Sequence, residues 1–176
     1  ASVLDGEGKQ RWRKSFGPIC YDIATGSFDG NGTRGVVFGS GDGMIHYAGH
    51  DGEKRLSYPT GDEVTRVAAA DLDGDGVDEI LGGSLNYNVY CFGADGQRRW
   101  RVDAGAAVSS LMTWPTAQGA LVVAGTSGGR LLSITATGDV LAVTELGSEI
   151  IDTVLDRSGA VTVATADGMI HRVANR

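Results

Sequence analysis

Short apolar runs recur along the chain between turn signals, and none carries a helical period. Gly35-Val36-Val37-Phe38-Gly39, Ile80-Leu81-Gly82-Gly83 and Leu121-Val122-Val123-Ala124-Gly125 are bounded by glycine or by polar turn residues. A brief apolar stretch of that kind predicts a strand buried on both faces. No segment places apolar residues at a 3.6-residue spacing with caps at both ends, as a packed helix requires.

The runs belong to one unit written four times. Gly8-Lys9-Gln10-Arg11-Trp12 returns as Gly52-Glu53-Lys54-Arg55-Leu56, as Gly96-Gln97-Arg98-Arg99-Trp100 and, more weakly, as Gly138-Asp139-Val140-Leu141-Ala142, at intervals of 44, 44 and 42 residues. Asp42-Gly43-Met44-Ile45-His46 returns identically as Asp167-Gly168-Met169-Ile170-His171. A period in the low forties signals propeller blades or helical arrays, and the strand pattern selects blades. First strands are expected near Tyr21–Phe28, Thr65–Leu72, Ser109–Pro115 and Asp152–Asp156. Third strands are expected at Met44–Ala48, Asn88–Phe92, Arg130–Ile134 and Met169–Val173. The fourth strand carries the Trp12 or Trp100 position, whose aromatic reads as a wedge between sheets.

The expected fold is therefore an all-β propeller of four-stranded antiparallel blades. It forms one domain over 1–176, with repeats near 17–60, 61–104, 105–146 and 147–176, and with 1–16 as a closing strand that completes the last sheet. Three arrangements satisfy the count: a closed four-bladed ring, half of an eight-bladed dimer, or part of a longer propeller.

The second unit carries Asp71-Leu72-Asp73-Gly74-Asp75-Gly76-Val77-Asp78-Glu79. Calcium takes about six to eight oxygens at short range. Odd positions turned inward supply them: Asp71, Asp73, Asp75, the Val77 carbonyl and Glu79. Gly74 and Gly76 let the backbone wrap an ion. A solvated acidic turn is the other reading. An EF-hand is excluded, because its bidentate Glu stands at the twelfth place before a helix, whereas a strand follows here. The segment Val67–Asp95 resembles calcium-binding repeats of the FG-GAP and VCBS type, familiar from integrin α-subunits. That resemblance implies a propeller, a calcium ion in the loop and an extracellular, cell-surface or periplasmic place.

The equivalent loop of the first unit keeps Ser27, Asp29, Asn31 and Thr33 but has Gly35 at the ninth place, with Arg34 beside it, so a weak or empty second site is expected. Trp114-Pro115-Thr116-Ala117-Gln118-Gly119 and Leu155-Asp156-Arg157-Ser158-Gly159 retain too little acid for a cation.

Net charge is −7, which argues against nucleic acid or an anionic membrane as partner. No apolar run approaches the roughly 18 residues of a membrane span. Cys20 and Cys91 permit one disulfide or two buried thiols and are too few for a zinc motif. The fourth-strand motif also resembles pyrroloquinoline-quinone-type propeller repeats, which implies the fold and not the cofactor. His46 and His171 occupy equivalent third-strand places, which favours structural roles. No nucleophile elbow or HExxH motif occurs.

Loops joining one unit to the next bring Asp62, Glu63, Arg66, Asp103 and Glu149 toward one rim, and Asp22, Asp62, Glu63 and Arg66 are the candidate ligand-face residues. Asp22, Arg66, Ser110 and Thr153 are read as equivalent near the start of the first strand. The function expected is a non-enzymatic, calcium-stabilised propeller binding a protein or glycan, with a homodimer as one route to a larger ring. The alternative is part of a polysaccharide-acting, lyase-like propeller enzyme.

Overall fold

Seventeen strands make up the described part of the molecule, residues 1–116 and 119–173 of a computed structural model. β1 (Ser2–Leu4) and β2 (Gln10–Arg13) form a hairpin. The first blade is β3 (Cys20–Ser27), β4 (Arg34–Ser40), β5 (Met44–Ala48) and β6 (Lys54–Pro59). The second is β7 (Val64–Ala70), β8 (Glu79–Ser84), β9 (Asn88–Phe92) and β10 (Arg98–Asp103). The third is β11 (Val108–Thr116), β12 (Gly119–Thr126), β13 (Arg130–Ile134) and β14 (Val140–Glu145). β15 (Ile150–Leu155), β16 (Val161–Thr165) and β17 (Ile170–Val173) form a three-stranded fourth blade. All pairings are antiparallel between sequence neighbours.

One irregularity recurs in every blade. The register shifts between Cys20 and Asp22, Val64 and Arg66, Val108 and Ser110, and Ile150 and Asp152. A bulge of this kind adds one unpaired residue and re-aims the remainder of the strand. It also corrects the expected equivalence: Asp152, not Thr153, matches Asp22, Arg66 and Ser110. Two of the extra residues tie the inner strands together. Thr65 Oγ1 donates to the Val108 carbonyl at 2.8 Å and Ser109 Oγ to the Ile150 carbonyl at 2.5 Å.

The core lies in the seams between blades. Val37, Ile45 and Tyr58 meet Val64, Val67 and Ile80 between the first and second blades. Leu81, Val89 and Val102 meet Val108, Val122 and Leu132 in the next seam. Trp114, Val123 and Leu131 meet Ile150, Val161 and Val163 in the third. Burying each such Val, Leu or Ile contributes about 1.5–3 kcal/mol. The continuous apolar runs of the second strands arise from this, because both faces of a blade are covered.

The wedge aromatics sit as expected. Trp12 Nε1 donates to the His50 carbonyl at 3.0 Å and Trp100 Nε1 to the Ala136 carbonyl at 2.8 Å. Each indole lies on the turn glycine of the following blade: a Cβ on Gly138 would stand 2.7 Å from Trp100 Cγ, and one on Gly52 2.6 Å from Trp12 Cδ2. Glycine is required there for space and for its positive φ.

The expected ring closure is not what the structure shows. β2 pairs with β1, a segment to which the sequence assigns no strand of its own, and β17 pairs only with β16 among the described residues. The physical reason is that β1 already fills the third-strand place beside β2. The expected cysteine environments also change. Both thiols are free, and Cys20 is exposed rather than buried. No helix among the described residues is long and apolar enough to cross a membrane.

The wedge geometry sets a prediction. Gly138→Ala, with φ +90° and the indole in the way, is expected to destabilise by about 2–4 kcal/mol, the sum of left-handed strain and overpacking. Gly147→Ala, with φ +76° and open space, should cost only about 1–2 kcal/mol. Urea unfolding midpoints of the two variants measure the difference.

Candidate metal centre and ligand face

The acidic loop leaves β7 and returns as β8, and alternation orients it. Leu72 is buried and packs into the seam between the second and third blades. Its neighbours Asp71 and Asp73 therefore turn the other way. One oxygen from each of Asp71, Asp73 and Glu79 lies within 4.8 Å of the others. Asp75 stays outside that cluster, exposed, with its Oδ1 accepting the Val77 N–H at 2.8 Å. Asp71 holds the turn by accepting the Gly74 and Gly76 amides at 2.7 and 2.9 Å. The left-handed φ of both glycines, +82° and +85°, lets those amides point inward.

Glu79 is the unusual member, a carboxylate only 5% exposed. Its Oε2 accepts the Leu72 N–H at 3.0 Å. Burial pushes its pKa up, that hydrogen bond opposes the rise, and the negative charges of Asp73, Asp75 and Asp71 add to it. A buried carboxylate facing others is disfavoured unless a cation neutralises it. The all-oxygen donor set suits a hard divalent cation such as calcium, with Asp71, Asp73 and Glu79 as its holders.

The first-unit loop shows why its ninth place is empty of acid. A Cβ on Gly35 would lie 2.5 Å from Tyr47 Cε2 and 2.9 Å from the Ala48 carbonyl oxygen. The Tyr47 ring packs on Phe28, 4.6 Å between centroids, and fills the room that Glu79 uses in the second blade. Cys91 stands at the place of Tyr47 there, which leaves that room open. Asp29 and Asn31 cap the Asn31 and Thr33 amides just as Asp73 and Asp75 cap the Asp75 and Val77 amides, so the two loops differ at the ninth place. Arg34 donates to the Thr25 carbonyl and hydroxyl. In the third-unit loop, Ala117 and Gln118 lie outside the described residues.

Sequence reasoning passes over Asp78. Its Oδ2 accepts the Ser27 N–H at 2.8 Å, and its own N–H donates to the Ser27 carbonyl at 2.7 Å. The acidic loop is thereby clipped across the seam to the end of β3. Gly26 allows the approach, since a Cβ there would stand 2.7 Å from Asp78 Oδ2. The one signal was a fourth aspartate out of register with the other three; its partner lies 51 residues away.

The ligand-face candidates are largely engaged within the protein. Asp22 Oδ2 accepts the Val67 N–H of the next blade at 2.9 Å, and its Oδ1 accepts the Ile23 N–H. Asp62 caps the Glu63 amide, Glu63 accepts the Tyr21 hydroxyl, and Arg66 donates to the Thr65 carbonyl at 2.7 Å. Asp22 and Glu63 thus serve as partners between strands of different blades, and Asp62 and Arg66 as local ones. His46 also has a structural setting: it is buried, with Nδ1 2.8 Å from Ser57 Oγ and Nε2 3.1 Å from Asp42.

A family model described as the lambda-carrageenase beta-propeller domain matches residues 60–154. The chain belongs to that family. The match runs from the end of the first blade through most of β15 and includes the acidic loop and both rim carboxylates Asp62 and Glu63. No curated protein matches the sequence. Among solved structures, the WD40 beta propeller domain of Doa1 is similar, with a TM-score of 0.78 at 16% identity over 97% of this chain and 56% of that one. The computationally designed Ika4 protein is similar at a TM-score of 0.69 and 17% identity over 92% of this chain and 98% of that one. BBS1N, solved in complex with ARL6DN, gives 0.72 at 13% identity over 88% of this chain and 47% of its own. The carrageenase-type chain thus spans about half the length of the Doa1 domain. These likenesses establish the propeller fold.

The Asp78 clip is testable in metal-free protein. Asp78→Ala leaves the Ser27 amide without its partner and is expected to cost about 1–3 kcal/mol. Asp75→Ala, at an exposed place outside the cluster, should change stability by no more than about 0.5 kcal/mol. Chemical denaturation in chelator compares them.

Proposed function

We propose that this chain is a calcium-stabilised, non-catalytic propeller that binds a glycan or a protein partner outside the cytoplasm. The observation that carries the calcium reading is the buried Glu79 carboxylate drawn together with Asp71 and Asp73. Bound calcium would supply charge neutralisation there. The chain's own residues do the rest: Leu72 anchors the loop in one seam, and Asp78 ties it across the other. An ion in the loop would therefore stiffen two adjacent junctions between blades. The FG-GAP and VCBS-type spacing of the loop supports the same reading. Calcium at millimolar levels outside cells suits modules whose affinity falls near 10⁻⁴–10⁻³ M, roughly.

A second reading, that the chain forms part of a polysaccharide-acting enzyme, is favoured by the family match. The family name refers to an enzyme of polysaccharide breakdown, so a polysaccharide is the first partner to test under either reading.

Calcium should raise the melting temperature and chelator lower it, with magnesium restoring it poorly because it demands a tighter octahedral shell. At free calcium near 100 times the dissociation constant, the gain is roughly 2.7 kcal/mol. Asp73→Ala should abolish the response, and Asp29→Ala should barely alter it. A parent melting curve indifferent to calcium and chelator would remove the metal reading. On a polysaccharide panel that includes carrageenan, retention without new reducing ends or unsaturated products supports the binding module. Product formation supports the enzyme reading instead.

A further inference from the structure

One backbone position sets the second blade apart from the other three. Gly43, Tyr87, Gly129 and Gly168 hold equivalent places in the turn between the second and third strands of their blades. All four are left-handed, with φ of +77°, +69°, +82° and +84°. In the first three blades the carbonyl of that residue accepts the same bond from the next connection, donated by the Thr60, Ala104 and Leu146 amides at 2.9, 2.7 and 2.8 Å. Glycine adopts this conformation freely, whereas a bulky side chain is strained in it. Tyr87 is the one non-glycine residue with a positive φ among the described residues.

Little inside the protein offsets that strain. Tyr87 is 54% exposed. Among the described residues its hydroxyl makes no hydrogen bond and its ring stacks on no other aromatic. A strained conformation kept where glycine would be relaxed points to a use for the side chain outside the fold. The turn that carries it is nonetheless rigidly braced. Asn86 Nδ2 donates to the Thr60 carbonyl at 2.6 Å and to the Tyr90 hydroxyl at 2.9 Å, and Asn88 Nδ2 donates to the Asn86 carbonyl at 2.7 Å. The Leu85 amide donates to the Glu63 carbonyl at 3.0 Å, which sets the turn on the rim of Asp62 and Glu63.

Beside the ring lies an open cleft of about 400 Å³, lined by Asn86, Tyr87, Asn88, Arg101 and Asp103. Asn88 stands opposite Asp103 across β9 and β10. Arg101, two residues before Asp103, shares its face of the strand. Arg101 is exposed and has no ion pair or hydrogen bond among the described residues. Asp103 uses only Oδ1, which accepts the Gly105 amide at 2.8 Å. The cleft thus offers one aromatic face with free donors and acceptors around it, and no aliphatic side chain lines it. A docking protein would want an apolar anchor point there. A sugar wants what is present: each hydroxyl both donates and accepts, and the C–H face of the ring is apolar.

We propose that Tyr87 and this cleft form a sugar-binding subsite that takes one pyranose ring of a polysaccharide. The ring stacks on Tyr87, Arg101 donates to its hydroxyls, and Asp103 and Asn88 accept from them. The inference rests on the reading of this chain as a glycan-binding module and names the site that reading lacks. The subsite lies at the β8–β9 end of the second blade, whereas the acidic loop joins β7 to β8, so the two occupy opposite ends of β8. Sugar binding and calcium binding are therefore separable.

Affinity electrophoresis through gels containing carrageenan, pectin or xylan, run with calcium present, tests the proposal alongside melting curves of the same proteins. At least one polysaccharide should retard the parent. Tyr87→Gly should weaken that binding by about tenfold or more and melt no lower than the parent, because it relaxes the strained turn. Tyr87→Phe, which keeps the ring, should bind as the parent does, and Arg101→Ala should bind more weakly at an unchanged melting temperature. A retarded parent with an equally retarded Tyr87→Gly overturns the subsite and leaves the glycan-binding reading standing. A Tyr87→Gly protein that loses binding only together with several degrees of melting temperature gives Tyr87 a structural role and also overturns the subsite. A parent that no polysaccharide retards overturns both. The calcium response of the parent's melting curve reports on the metal reading independently of all these outcomes.

Discussion

A β-blade has two apolar faces, and each is stable only against a neighbour. That requirement shapes the rest of this molecule. It explains why Val36, Val37 and Phe38 run together without alternation: successive side chains enter different seams. It explains the tolerance for glycine at Gly82 and Gly83, where a Cβ would collide with Ile45 Cδ1 and Val108 Cγ1 respectively. Neighbouring blades approach too closely there for a side chain. Stability in such arrays is nearly a sum of nearest-neighbour terms, so the middle blades are held from both sides and the end blades from one.

The acidic loop belongs to the same scheme. It joins the first two strands of the second blade, β7 and β8, and its residues divide between neighbours. Leu72 enters one seam, and Asp78 crosses the other to Ser27. Asp71, Asp73 and Glu79 remain for a cation. Concentrating negative charge at a junction opposes folding, and a divalent ion turns that penalty into a brace. Under the proposed function, calcium bound there would strengthen contacts between blades.

Much of this was legible in the sequence. The Gly8, Gly52, Gly96 and Gly138 markers carry the period, and three of the four third strands fall at their expected bounds. Asp71, Asp73 and Glu79 were readable because their spacing is local. The features that escaped depend on contacts far apart in sequence. Asp78 was invisible because Ser27 belongs to another blade. The crowding of Gly35 by Tyr47 needed a cross-strand neighbour. Asp152, not Thr153, matches Ser110 because the last interval is 42 residues, and the bulge that recurs before each of these residues fixes the alignment. β1 was missed because Ser2–Leu4 is too short to show alternation.

The central claim is that this fold is held by blade-to-blade burial, and amide hydrogen exchange tests it most directly. Protection should be highest in β8, β9 and β12, whose blades are covered on both faces. It should fall toward β15–β17 and the β1–β2 hairpin, which pack against a neighbour on one side only among the described residues. Opening free energies graded in that order along the array are the predicted result. Equal protection in all blades, or greatest protection in β17, would contradict the account.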